Sequence, residues 1–100
     1  VMSCQHSRPM GKFAGHNAVA DLSGLDMIPF EVSTYGTCLD LGPWGAVRTE
    51  GWEREVVKKG PDAKAIKMHI NHERIYPPSS RQRGEILESG RPEVQSPPPQ

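Results

Sequence analysis

Ile28-Pro29-Phe30-Glu31-Val32-Ser33-Thr34-Tyr35-Gly36-Thr37-Cys38-Leu39-Asp40-Leu41-Gly42-Pro43-Trp44-Gly45-Ala46-Val47-Arg48 is the stretch whose reading decides the fold. Its apolar residues come in short runs broken by Gly36 and by Gly42-Pro43. Within it Thr37 to Leu41 alternates polar and apolar, the period of a half-buried strand. Short runs separated by Gly and Pro predict an antiparallel hairpin or meander. Further on, Trp52 and the Val56-Val57 pair supply a candidate for another strand. Two to four short strands make a thin core, so the sheet needs support from helices or from strands elsewhere.

Helical periodicity flanks this stretch on both sides. Upstream, Met10, Phe13, Ala14, Ala18, Leu22 and Leu25 recur at helical spacing. Ser7 is placed to cap a helix whose first residues are Arg8 and Pro9, because Pro is tolerated in a first turn. Ser23-Gly24 ends it, giving a helix over 8–22. Downstream, Lys58-Lys59-Gly60 is a break and Pro61 suits a helix start. Ala63, Ile66 and Ile70, with Ile75 as a candidate fourth, mark one face of a second helix over 61–73, which Pro77-Pro78 stops. Residues 77–100 are charged, polar and proline-rich, ending in Ser96-Pro97-Pro98-Pro99-Gln100, the composition of a disordered tail. The predicted fold class is therefore α+β: an N-terminal helix, a small antiparallel sheet of two to four strands, a second helix and a disordered tail.

Composition sets the bounds. A chain of 100 residues with 35% hydrophobic residues holds one small core at most. At this size roughly 60–65% of the surface exposed by the unfolded chain is buried, so stability is marginal. Lys plus Arg and Asp plus Glu are both 12, so no excess of positive charge points to nucleic acid or an anionic surface. No apolar run approaches the ~20 residues that span a bilayer. The opening Val1-Met2-Ser3-Cys4-Gln5 has neither a basic nor an apolar signal region, and Val1 reads as the middle of a longer chain. Cys4 and Cys38 are too few and too distant for a disulfide framework, which makes a reducing cytoplasm the expected setting.

Two segments resemble the type II NADH dehydrogenases and related FAD-dependent members of the pyridine nucleotide-disulfide oxidoreductases. In that family an Ala-Gln pair is followed by Gly six residues after the Gln and Asn six after the Gly. Gln5, Gly11 and Asn17 keep this spacing, with Cys4 in place of the Ala. Further on, the family places an aromatic residue, two Gly at successive intervals of six, and then an Ala-Val pair; Phe30, Gly36, Gly42 and Ala46-Val47 occupy those positions. The resemblance covers about residues 3–50.

The resemblance implies a C-terminal fragment of a two-Rossmann-domain flavoprotein. Residues 1–27 would be the flavin-facing end of an FAD-binding domain, 28–76 an interface or dimerisation region, and 77–100 the polar tail. It implies hydride transfer from NAD(P)H through FAD to a quinone or other acceptor, with the helix after Gln5 aimed at the flavin. Backbone N–H groups around Cys4, Gln5 and His6 would be the FAD contacts, because a helix start offers unpaired donors and a partial positive charge. In quinone-reducing members the Gln side chain also lies beside the acceptor. The family helix would lose one donor to Pro9 and would start later here. The glycine-rich FAD and NAD fingerprints are missing from these residues, so the chain alone is expected to bind neither FAD nor NAD(P)H, and no catalytic residue is assigned. Implied partners are the missing N-terminal FAD and NAD domains, the electron acceptor and a second copy in a homodimer. The implied location is cytoplasmic or peripheral at the inner face of the membrane.

Plainer readings stand beside these. Cys4, His6 and His16, or His69 and His72, fall short of the four close ligands of a structural zinc site, so no metal is expected. Cys4 is expected to be a buried or half-buried thiol, and Trp44 and Trp52 to fill the core of the thin sheet. Gly11 and Asn17 suit structural roles. The alternative function is a small stand-alone α+β interaction module, binding a partner by its sheet edge or its proline-rich tail.

Overall fold

The computed structural model describes residues 3–31 and 34–93. They form α1 (Cys4–Leu22), β1 (Gly36–Asp40), a 3-10 turn (Gly42–Trp44), β2 (Ala46–Glu50), β3 (Glu55–Gly60), α2 (Pro61–His69) with a π-helical turn (Ile70–Arg74), and α3 (Arg83–Ser89). The class is α+β, as the alternation and the helical spacing predict. The chain divides into two compact units, residues 1–31 with 75–100, and residues 32–74.

In the second unit the strands form an antiparallel meander in the order β1-β2-β3. Gly36 pairs with Glu50 and Asp40 with Ala46; Ala46 then pairs with Gly60 and Glu50 with Glu55. A register shift between Arg48 and Thr49 marks a bulge in the β2–β3 pairing. On one face, Thr37 and Thr49 hydrogen-bond across the strands through their hydroxyls. On the other face lies α2, in contact with all three strands. Its inward face is Ala63 and Ile70, both buried, with Ile66 half-buried between them, which is the stripe expected from the sequence. Pro61 opens the helix, Asp62 lies in its first turn and Lys67 and His69 in its last, so the charges complement the helix dipole.

Small residues set how closely this helix approaches. Ala46 and Ala63 are completely buried. Gly45 has φ 103°, and a Cβ built on it would lie 2.6 Å from the carbonyl carbon of Gly60. Two glycine backbones therefore touch where β3 turns into α2, a contact that no side chain at residue 45 permits.

In the first unit α1 begins at Cys4, not at Arg8. The cap is Ser3, in extended conformation, whose Oγ accepts from the His6 N–H, and Ser7 lies inside the helix. Pro9 is thus the sixth helical residue. It removes no terminal donor; it leaves the Gln5 carbonyl without its usual helical partner. At the other end Gly24 adopts φ 68°, with Leu25 N–H donating to the Ala20 carbonyl and Gly24 N–H to that of Asp21, a Schellman ending. The apolar stripe expected on α1 is only partly buried. Of its members only Phe13 is inside; Met10, Ala14, Ala18, Leu22 and Leu25 are exposed, and the other buried residue of the helix is Ala20, outside the expected stripe.

Two further expectations are corrected. Residues 28–31 form no strand; Phe30 instead packs edge-on against Phe13, ring centroids 5.2 Å apart. Residues 83–89, placed in the tail by composition, form α3, with Ser80 Oγ bonded to the Glu85 carboxylate and accepting from the Gln82 N–H. Residues 94–100, the rest of the tail, lie outside the described residues.

Gly45→Ala is expected to lower unfolding free energy by about 3 kcal/mol, combining backbone strain with the clash against Gly60. Denaturant titration with an unchanged m-value would establish it.

Candidate functional site

The first turn of α1 gathers the three residues marked as candidate contacts. Ser3 Oγ takes the His6 N–H at 3.3 Å and lies 2.6 Å from His6 Nδ1, so cap and ring hold one another. The Ser3 carbonyl accepts from His6 N–H at 3.2 Å and Ser7 N–H at 3.0 Å. Ser7 Oγ in turn donates to the Cys4 carbonyl. His6 N–H is therefore engaged by the cap. Among the described residues the N–H groups of Cys4 and Gln5 have no protein acceptor. Both are at the positive end of a 19-residue helix with no acidic side chain in its first turn. Chemically, this turn suits a carbonyl-like or anionic oxygen.

The Cys4 thiol is exposed, contrary to the buried setting expected for it, because the first residue of the helix projects from the end of α1. Cys38 is half-buried, its Sγ 3.8 Å from the Ala63 carbonyl under α2. Among the described residues no three His, Cys, Asp or Glu side chains cluster as metal ligands. His69 pairs with Glu73 at 3.2 Å along its helix. The tryptophans do not fill the core either. Trp44 is 84% exposed on the 3-10 turn, and Trp52 is 72% exposed, stacked on Tyr35 with centroids 4.4 Å apart. Ala46, Cys38 and Ala63 already occupy the space between sheet and helix, leaving no room for an indole.

Two polar clasps went unseen in the sequence. The Asn17 side chain donates to the Ile28 carbonyl and accepts from the Ile28 N–H, both at 2.8 Å. It imitates a strand neighbour and ties the segment after α1 back along the helix. In the other unit Lys64 Nζ donates to both oxygens of Asp40, at 2.7 and 2.8 Å, and Asp40 accepts the Gly42 N–H at 2.7 Å. The Lys64 bond, followed by the Gly42 N–H, holds the Asp40 carboxyl below its ordinary range. Asp40 two residues before a Gly is a legible turn signal; its pairing with Lys64 is not, since it depends on α2 folding back over the sheet.

No family model matches this chain. No solved structure matches it either. Two curated proteins do, the NADH dehydrogenase-like proteins of two strains of Mycobacterium tuberculosis, each 50% identical over 95 residues, or 95% of this chain. Those residues make up 24% of each relative, so the chain spans about a quarter of the length of the curated relatives it matches. Among the described residues no helix is long and apolar enough to cross a membrane.

Asn17→Ala leaves a half-buried N–H and carbonyl of Ile28 unpaired and is expected to cost about 1–3 kcal/mol, measurable by thermal or chemical unfolding. The Asp40 contribution carries a sign in pH. A depressed folded-state pKa stabilises above the ordinary carboxylate value and is lost as pH falls through the lowered one. The stability difference between the protein and Asp40→Asn should therefore be present at neutral pH and close in acid below about pH 4. Unfolding curves across that range are the check.

Proposed function

We propose that this chain is the C-terminal part of an FAD-dependent oxidoreductase that carries hydride from NAD(P)H through FAD to a quinone or another acceptor. The observation that carries the reading is 50% identity to NADH dehydrogenase-like proteins four times as long. Burial supports it. The buried apolar residues described are Phe13, Ala20, Ala46, Ala63 and Ile70, three of them alanine, while Met10, Val19 and Leu22 of α1 stand exposed. A core this small is what remains when part of a larger body is viewed alone.

The residues present fit one role toward the flavin and not another. The N–H groups of Cys4 and Gln5, at a capped helix start without acidic neighbours, fit an electron-rich ring edge. Nothing here resembles the glycine-rich turn that cradles a pyrophosphate, so that part of FAD, and all of NAD(P)H, would be held by residues outside this chain. When bound, FAD would supply the electron transfer. In this reading Ser3 and His6 keep the first turn wound, Cys4 and Gln5 present their N–H groups, and the helix dipole favours added negative charge. The Gln5 side chain, half-buried beside that turn, would border the acceptor.

The alternative of a stand-alone interaction module predicts a different gene. Two GxGxxG units encoded upstream of Val1 support the oxidoreductase; a stop codon there supports the module. At the bench, the 100-residue chain passed over gel filtration with FAD should retain no flavin absorbance, and stoichiometric retention would contradict the division of labour above. In the longer polypeptide Gln5→Ala should slow acceptor reduction about tenfold, ~1.4 kcal/mol in the barrier, with flavin content nearly unchanged. Loss of flavin at unchanged turnover per bound flavin would refute the role given to Gln5.

A further inference from the structure

The turn between β1 and β2 is braced beyond what a strand connection requires. Gly42 adopts φ 63°, Pro43 fixes its own φ, and Trp44 follows. Within the turn Leu41 N–H donates to the Gly45 carbonyl at 2.8 Å, and Gly45 N–H to that of Gly42 at 3.2 Å. From outside it, Asp40 accepts the Gly42 N–H at 2.7 Å and Lys64 Nζ donates to the Gly42 carbonyl at 3.3 Å. Lys64 also holds both oxygens of Asp40, so one α2 side chain fixes the turn and the carboxylate that binds it.

What this turn carries is apolar. Trp44 is 84% exposed, Leu41 39%, and Pro43 lies exposed between them. Trp44 has no ring partner among the described residues, whereas Trp52 is stacked on Tyr35. A lone apolar side chain on a surface needs no explanation. A cluster of Leu41, Pro43 and Trp44 on backbone held from two elements does. An indole presented on ordered backbone loses little further entropy on burial, which is the property of an anchor residue at an interface. The charges beside it, Asp40 and Lys64, neutralise one another, so the surface that receives it is an apolar pocket with no charge to supply.

We propose that Trp44, presented by the Asp40–Lys64 clasp, inserts into an apolar pocket on the remainder of the same polypeptide, with Lys64 as its positioning residue. The proposal rests on the reading that these residues belong to a longer chain. They match 24% of each curated relative, so about three quarters of such a polypeptide lies elsewhere. Size decides between occupants. A buried indole contributes about 200 Å², whereas a stable contact between separate proteins takes about 800 Å² from each partner. The turn alone falls well short of that. A pocket on the same polypeptide is tethered, and its effective concentration makes one anchor sufficient. A second copy of the chain, or another protein, has no such advantage at this turn.

The test uses the longer polypeptide. The difference in emission between it and Trp44→Phe isolates this indole. That emission is expected to be shifted to the blue and shielded from iodide at every protein concentration. Lys64→Met keeps the indole and removes its brace; it should move the emission toward the red and restore quenching, with the far-UV circular dichroism unchanged. Trp44→Ala should speed limited proteolysis on the order of tenfold, where loss of a solvated side chain would leave it unchanged. Iodide reaching Trp44 in the native polypeptide as readily as it reaches free tryptophan overturns the proposal. So does shielding that appears only as concentration rises, which would put a second copy over the turn, or a Lys64→Met variant as well shielded as the native protein. Flavin content of the same preparation reports separately on the oxidoreductase reading. A flavin-free polypeptide with a shielded Trp44 sinks that reading and supports this one; a flavoprotein with an accessible Trp44 does the reverse.

Discussion

The sheet-bearing half of this protein depends on one contact, the meeting of the Gly45 and Gly60 backbones. Gly45 precedes β2 and Gly60 ends β3, so their approach sets the point at which the chain leaves the sheet and enters α2. Any Cβ at residue 45 would push the two apart and lift the helix start from the sheet. With the approach allowed, Ala46 and Ala63 close the space behind it, and Cys38 reaches the Ala63 carbonyl. Lys64, one residue further along α2, is then brought over the β1–β2 turn and holds Asp40. The tight packing follows from the smallness of these residues, and it explains why Trp44 and Trp52 are outside.

The other half depends on directional polar bonds more than on burial. Ser3 starts α1, Gly24 stops it, and Asn17 binds the departing chain through both backbone groups of Ile28. With these fixed, the edge-on contact of Phe13 and Phe30 follows. Here Asn17 is a structural residue. The spacing Gln5, Gly11, Asn17 is thus not a row of ligands: its last member clasps the backbone, and its first lies in the turn whose N–H groups point outward.

Much was legible from composition and periodicity. The α2 stripe of Ala63, Ile66 and Ile70 emerged at the expected positions, as did the meander through Gly36–Gly60 and the helix stop at Gly24. The misreadings share a cause. Pro9, tolerated in a first turn, points to Ser7 as the cap, yet Ser3 caps from four residues earlier and the helix accommodates Pro9. Phe30 looked like a strand residue because its alternation with Ile28 is a strand period; its partner proved to be a helix. α3 went unseen because Ile86 and Leu87 are a single apolar pair, too short to show a period.

By itself the sequence determined the secondary-structure classes, through period, breakers and caps, and the resemblance to NADH dehydrogenase-like proteins, through spacing that needs no coordinates. Tertiary structure alone decided the clasps that reach across the chain, Asn17 on Ile28 and Lys64 on Asp40, because their partners are eleven and twenty-four residues away. It decided that residue 45 must be glycine, because the opposing backbone is fifteen residues away in the chain. It also decided which backbone groups of β1 point toward β2 and which point away from it. Hydrogen-bond direction along a strand is set by its neighbour's register, and no local pattern of residues encodes that.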